Sequence, residues 1–225
     1  DLHLSLRRQR QMCIRDRLPG SCRGMSSWQS RLRYRLISKR YMNILQSIQQ
    51  LDGEILLLIQ RYLRMDMLTP FMKSVTFLGN GGWFWILCAV VLLAVPKTRK
   101  TGYAAALSLI FGAIVTNLLL KNIVARPRPF AEIEALIPMI TKPKDFSFPS
   151  GHTTASFAVA LVMLRMLPKK FGIPAVVLAA LVAFSRLYLG VHYPTDVLAG
   201  FVIALVGSTL SVWIVRTKQE DKQVH

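Results

Sequence analysis

Acidic residues and cysteines are scarce in this chain. Eleven Asp and Glu stand against 29 Lys and Arg in 225 residues, a formal charge of +18. The three cysteines, Cys13, Cys22 and Cys88, form no CxxC pair, which argues against a zinc ribbon or a thiol redox motif; Cys88 lies in an apolar block and reads as packing. There are four histidines, His3, His152, His192 and His225. No internal repeat, helix-turn-helix or aromatic-basic RNA motif is visible, so the positive charge does not read as a nucleic-acid surface.

Apolar residues are abundant. They make up 52% of the chain, and mean hydropathy is +0.38. They come in blocks, at 83–96, 102–120, 153–167, 171–190 and 196–215. A helix needs roughly 20 apolar residues to cross a bilayer core of about 30 Å. The shorter blocks reach that length only with their Gly, Ser and Thr flanks, which membrane helices tolerate. The positive charge gathers in the connections "PKTRK" (96–100), "LPKK" (167–170) and "RTKQEDK" (216–222). Such alternation fits the positive-inside rule and predicts an all-α, polytopic helical membrane bundle with five strong spans.

Residues 1–24, "DLHLSLRRQRQMCIRDRLPGSCRG", do not begin with Met and have no apolar h-region. They resemble translated adaptor sequence, and Met25 is the expected start. A basic segment, 25–41, follows. From 42 to 63 the apolar positions Ile44, Leu45, Ile48, Leu51, Ile55, Leu56, Ile59 and Leu63 recur every three or four residues. That spacing predicts an amphipathic helix, with Gln46, Gln50, Glu54 and Arg61 on its polar face. Pro70 marks a second short helix, 69–78. The pair is expected to lie in the membrane interface. Five spans would put the basic N-terminus on the outer face, against the charge rule. A sixth span at 44–63 would restore parity, but Asp52 and Glu54 make it a poor one. The membrane domain is expected over 42–215, with a cytoplasmic tail at 216–225.

Three ionisable clusters fall on one side of this topology. "KNIVARPRP" (121–129) closes the second strong span with Lys121, Arg126 and Arg128 beside helix-ending prolines. "FPSGHTTASF" (148–157) opens the third span. Ser150 is a natural N-cap, Gly151 lets a ligand approach the backbone, and the first-turn N–H groups suit an anion. "SRLYLGVHYPTD" (185–196) places Arg186, His192 and Asp196 in one connection. Pro194 suits a first helical turn, and the four-residue spacing lets Asp196 meet a His192 nitrogen and fix its tautomer.

Taken singly, these read as a basic anchor, a cap and a solvated loop. Together they gather the only two histidines outside His3 and His225 next to several cations, and ionisable groups at membrane depth are a functional signal. Arg forks and a Lys neutralise a tetrahedral oxyanion. One imidazole can attack phosphorus, and the other, protonated, can serve the leaving oxygen. That is phosphoryl transfer without metal. A lipid-phosphate carrier or sensor is the alternative; it would use the same cations but would not need both imidazoles.

The spacing K-x6-RP at Lys121, Arg128 and Pro129, the PSGH at 149–152 and SR-x5-H-x3-D at Ser185, Arg186, His192 and Asp196 resemble the three signatures of the type 2 phosphatidic acid phosphatase (PAP2) superfamily. The resemblance covers roughly residues 42–215. It implies that His192 is the nucleophile with Asp196 as its partner, and that His152 is the general acid and later activates water. It implies that Lys121, Arg128, Arg186, the Ser150 hydroxyl and the Gly151 N–H hold the phosphate, at the outer end of the bundle. The implied substrate is a lipid phosphate in the bilayer: undecaprenyl diphosphate, phosphatidylglycerol phosphate or phosphatidate. No cofactor or metal is implied. Arg126 lies off the signature and is expected to tolerate Ala. Nothing in the sequence speaks to oligomeric state.

Overall fold

A computed structural model describes the backbone of residues 22–224 and the side chains of residues 42–218. The expected 1–24 leader therefore lies almost wholly outside the described residues. Two compact units divide at Gln50 and Leu51. Every regular element among the described residues is helical. In order they are α1 (Cys22–Tyr62), α2 (Leu68–Leu78), a 3₁₀ turn (Asn80–Gly82), α3 (Trp83–Ala94), α4 (Arg99–Ala113), a π-helical segment (Ile114–Leu120), α5 (Lys121–Val124), α6 (Pro129–Glu132), α7 (Gly151–Met166), α8 (Lys169–Tyr188) and α9 (Pro194–Val224).

Among the described residues three helical stretches are long and apolar enough to cross a membrane: Arg99–Glu132, Lys169–Tyr188 and Pro194–Lys218. Helix α2 with the stretch Asn80–Ala94, bent by 44°, could make a fourth. Two of the five expected spans are thus shorter helices. α3 has 12 residues and α7 has 16, so at ~1.5 Å per residue they reach only about 18 and 24 Å. For α7 the reason lies in its packing. Ala158, Val159, Ala160 and Val162 are fully buried against residues of α3, α4, α8 and α9, so little of this helix needs to match the lipid. Small residues allow the close packing that membrane helices depend on. A Cβ at Gly200 of α9 would lie 2.7 Å from the Ser150 carbonyl oxygen, so Gly there lets α9 approach the start of α7.

The expected amphipathic pair is present as the end of α1 and as α2. Its buried stripe differs from the one the apolar spacing suggests. Of the positions in that spacing Leu56 and Ile59 face inward, together with Asp52, whereas Ile44, Leu45, Ile48, Leu51 and Leu63 are exposed. Leu56 packs with Leu136 and Tyr193, and Ile59 with Met72, Tyr188, Leu189 and Val191. Gln60 Nε2 donates to the Ala135 carbonyl (2.8 Å), and Arg64 Nε to that of Tyr188 (2.9 Å). The end of α1 is therefore tied to the loops that follow α6 and α8. A helix held by these loops has a use for a carboxylate at Asp52 that a spanning helix would not.

Candidate active site

Local sequence sets up each corner of the site. In α7, Ser150 is the N-cap: its backbone is extended, and its Oγ accepts the Thr153 N–H (3.4 Å) and the Thr153 hydroxyl (3.0 Å). Pro194 starts α9, which leaves Asp196 in the first turn. The π-helical segment ends at Leu120, immediately before Lys121; π-bulges are frequent at functional sites. Helix α5 then stops at Ala125, a non-glycine residue with φ +46° in the left-handed region, and the chain turns so that Arg126 and Arg128 both point inward. The stop falls two residues before Pro127, and Pro129 opens α6 instead of ending a helix.

These corners surround one cavity of about 1000 Å³. Lys121, Arg128, His152, Arg186 and His192 line its polar end, with Gly151 in the same wall. His192 is buried between two neighbours. Its Nδ1 lies 3.5 Å from Asp196 Oδ2, and its Nε2 is 3.4 Å from Arg128 Nη1. The first contact is longer than a hydrogen bond, so Nδ1 has no close partner. Burial pushes the imidazole down to about 4, against Asp196, which raises it; the Arg186 and Arg128 charges add to the lowering. At neutral pH the ring is therefore uncharged, as a nucleophile requires.

Asp196 is fully buried and saturated with donors. The Tyr193 N–H (2.8 Å) and the Ser147 hydroxyl donate to Oδ2, and Arg126 Nη1 donates to Oδ1 (2.8 Å). Arg128 donates through Nη1 to the Val191 carbonyl (2.7 Å), through Nε to the Asp145 carbonyl (2.8 Å) and through Nη2 to Asp145 Oδ1 (2.7 Å). Lys121 pairs with the other oxygen of Asp145. Burial alone would raise the Asp145 carboxyl, but the Lys121 hydrogen bond and the Arg128 charge hold it down at about 2. Asp145 is half exposed and bridges two of the expected phosphate ligands, where anionic oxygens would sit.

Arg186 is buried. Its Nη1 donates to Thr76 Oγ1 (2.7 Å), and its Nε has no protein partner. A buried donor left open beside a cavity is a ready anion contact. His152 Nε2 meets Asn80 Oδ1 at 2.9 Å. The turn that carries Asn80 fits closely over this imidazole: a Cβ at Gly79 would lie 2.6 Å from His152 Cδ2.

The structure thus brings together Lys121, Arg128, Gly151, His152, Arg186 and His192 around the cavity, with Asp196 behind His192. Ser150 differs. It is fully buried, is absent from the cavity wall and acts as the α7 cap. Sequence reading missed Asp52, Thr76, Asn80, Asp145 and Ser147. The only signal for any of them was a carboxylate in the otherwise apolar 44–63 stretch and the "GNGG" turn at 79–82.

Buried imidazole and arginine side chains around a cavity, set in a membrane-spanning helical bundle, define a class of protein, and the comparisons give it a family. A family model described as the PAP2 superfamily matches residues 101–220. The chain is 37% identical over 143 residues to "Undecaprenyl-diphosphatase" of Sulfolobus acidocaldarius, covering 63% of this chain and 69% of that one. It is 33% identical over 178 residues to "Phosphatidylglycerophosphatase B" of Bacillus subtilis, covering 74% and 82%. Among solved structures, the crystal structure of a transmembrane PAP2-type phosphatidylglycerolphosphate phosphatase from Bacillus subtilis matches with a TM-score of 0.60 and 29% identity, covering 78% and 87%. Aquifex aeolicus LpxE matches with a TM-score of 0.63 and 26% identity, covering 71% and 93%. The chain belongs to the PAP2 superfamily and is a multi-pass membrane protein.

Proposed function

We propose that this protein is a lipid phosphatase that hydrolyses a phosphomonoester or diphosphate of a membrane lipid through a phospho-histidine intermediate. The carrying observation is the make-up of its cavity. One end presents both imidazoles, Arg128, Arg186 and Lys121; elsewhere Ile86, Val90, Leu93, Leu109 and Ile110 line it. A lipid can hold its tail against the second set while its phosphate meets the first. The relatives named for undecaprenyl diphosphate and phosphatidylglycerol phosphate support the same substrate class.

In this reading the phosphate displaces the Asp145 carboxylate and takes its place between Lys121 and Arg128. The open Arg186 Nε and the Gly151 N–H complete the grip. Neutral His192 attacks phosphorus through Nε2, the Nδ1 proton faces Asp196, and His152 gives a proton to the leaving oxygen. Water, deprotonated by His152, then cleaves the phosphorus–nitrogen bond and frees phosphate. The side chains do not suit a divalent metal. Among the described residues no group of three His, Cys, Asp or Glu is placed to hold one, and the cavity's Asp145 is already shared by two cations.

The site is proposed to face outside, because the basic loops at 97–100 and 168–170 lie on the other side of the bundle's topology. Labelling of a Lys142→Cys variant by an impermeant thiol reagent in intact cells checks this. The function itself is tested by phosphate release from undecaprenyl diphosphate, phosphatidylglycerol phosphate, phosphatidate and a soluble phosphomonoester. Release from at least one lipid, undiminished in excess EDTA and inhibited by vanadate, is expected. Activity that vanishes with EDTA and returns with Mg²⁺ would overturn it.

A further inference from the structure

The nucleophile's partner, Asp196, is itself held by a pair of residues outside all three signatures. Arg126 Nη1 donates to Asp196 Oδ1 at 2.8 Å and to Thr195 Oγ1 at 2.7 Å. Its Nη2 donates to Asp52 Oδ2, also at 2.8 Å. The guanidinium lies over the Tyr193 ring, 3.8 Å from the centroid. Asp52 is buried on α1, where its Oδ1 accepts the Thr195 N–H (3.1 Å) in the first turn of α9 and its Oδ2 the Thr195 hydroxyl. Two buried carboxylates thus share one guanidinium, and the second also caps the helix that carries the first.

We propose that Arg126 and Asp52 form a clamp that positions Asp196, and through it His192, for attack on phosphorus. This rests on the lipid-phosphatase reading. It replaces the expectation that Arg126 is a spectator. Arg126 is not in the cavity wall, and both of its Nη atoms are engaged, so it does not act by touching substrate. Its charge balances a carboxylate that faces a neutral imidazole. Its planar fork sets where that carboxylate sits, since one Nη reaches each Asp. Tyr193 and Thr195, which flank Pro194 just after His192, are held by the same pair, so the clamp fixes the loop as well as the acid.

The test uses the full-length protein in detergent or bilayers, with kcat and KM measured on the best lipid of the panel. Arg126→Met is expected to lower kcat by about 10²-fold, at the low end of what a positioned proton-handling group contributes, with KM changed less than about threefold. Asp52→Asn leaves Arg126 its Asp196 contact and should lower kcat roughly tenfold or less. In an Asp196→Ala background, Arg126→Met should cause little further loss, because residues acting as a unit are non-additive. A purely structural Arg126 would instead multiply the two losses.

Should Arg126→Met not fold, Arg126→Lys keeps the charge between the two carboxylates but cannot reach both with a planar fork. It should lower kcat about tenfold at constant KM. A folded Arg126 variant with wild-type kcat, a raised KM with unchanged kcat, or full multiplicativity with Asp196→Ala would each overturn the clamp. A wild-type protein inactive on the whole panel would overturn the lipid-phosphatase reading instead.

Discussion

Residues 121–196 and residues 51–82 both reach the site, and they bring unlike chemistry to it. The first stretch supplies both imidazoles, Lys121, Arg128 and Arg186. The second supplies acceptors that hold them. Asp52 takes Arg126, Thr76 takes Arg186 and Asn80 takes His152. All three lie before residue 101, where the family model begins to match. In the proposed mechanism the signatures supply the groups that react, and the end of α1, α2 and the turn after it supply acceptors for their side chains or for the residues behind them. This division predicts graded damage: abolition at the reacting groups and partial loss at the groups behind them.

The largest effect tests the first half of that contrast. His192→Ala should abolish turnover, because it removes the imidazole whose Nε2 lies against Arg128 and whose Nδ1 faces Asp196. His152→Ala should slow turnover by roughly 10² to 10⁴, and by less for a substrate whose leaving group needs no proton, such as an aryl phosphate. Phosphate-release assays on protein of wild-type thermal stability decide the matter. Near-normal activity in His192→Ala would end the covalent mechanism.

Smaller losses are expected on the other side of the contrast. Asn80 Oδ1 accepts from His152 Nε2, which fixes the proton on that nitrogen and the plane of the ring. Asn80→Ala should lower kcat about tenfold, within the range of one lost hydrogen bond, and the loss should shrink with the aryl substrate as it does for His152→Ala. Thr76→Val removes the acceptor for Arg186 Nη1 and should cause a similar loss, but one that does not depend on the leaving group. That difference separates an acid-positioning residue from a phosphate-positioning one. Equal leaving-group dependence in the two variants would show that the turn and α2 act only by holding the fold.

The same contrast explains what could be read from the chain. Transfer through a histidine, as proposed, calls for Arg or Lys around the phosphate, two imidazoles and a carboxylate, and these groups sit at or beside the ends of α5 to α9. Lys121, Arg128, His152, Arg186, His192 and Asp196 were therefore legible as a pattern. Apolar runs likewise announced α4, α8 and α9, because length and composition suffice for a membrane span. A residue that only accepts a hydrogen bond can be of many types at many positions, so Thr76 and Asn80 leave no spacing to recognise. Asp52 was visible only as a flaw in a candidate span. Its role appears when Arg126, 74 positions away in sequence, is seen against it. Which side of α1 packs was not legible for a related reason: periodicity finds the apolar face, while here a carboxylate lies on the face that packs. For α7, with 16 residues and its middle fully buried, composition alone does not separate a buried core helix from a membrane helix.

The smallest expected effect lies at the turn that aims the clamp. Ala125 holds φ +46°, a left-handed conformation that costs an L-residue about 1–2 kcal/mol. Glycine would remove that cost. It would also loosen the unfolded chain, which takes back about 0.4–1 kcal/mol. The two nearly offset, leaving a net gain of about 0–1.5 kcal/mol for Ala125→Gly, and for a chain of this size ~1 kcal/mol moves the midpoint by only about 2–4 °C. Ala125→Gly should therefore raise the midpoint of thermal inactivation by a few degrees at most. It should leave kcat unchanged, because contacts to Asp52, Asp196 and Tyr193 hold Arg126 from its far end. A β-branched residue relieves nothing and adds crowding at the same φ, so Ala125→Val should lower the midpoint instead. If Ala125→Gly kept its midpoint yet lost kcat to the extent of Arg126→Met, stiffness of the turn, rather than the carboxylates, would be what places the guanidinium.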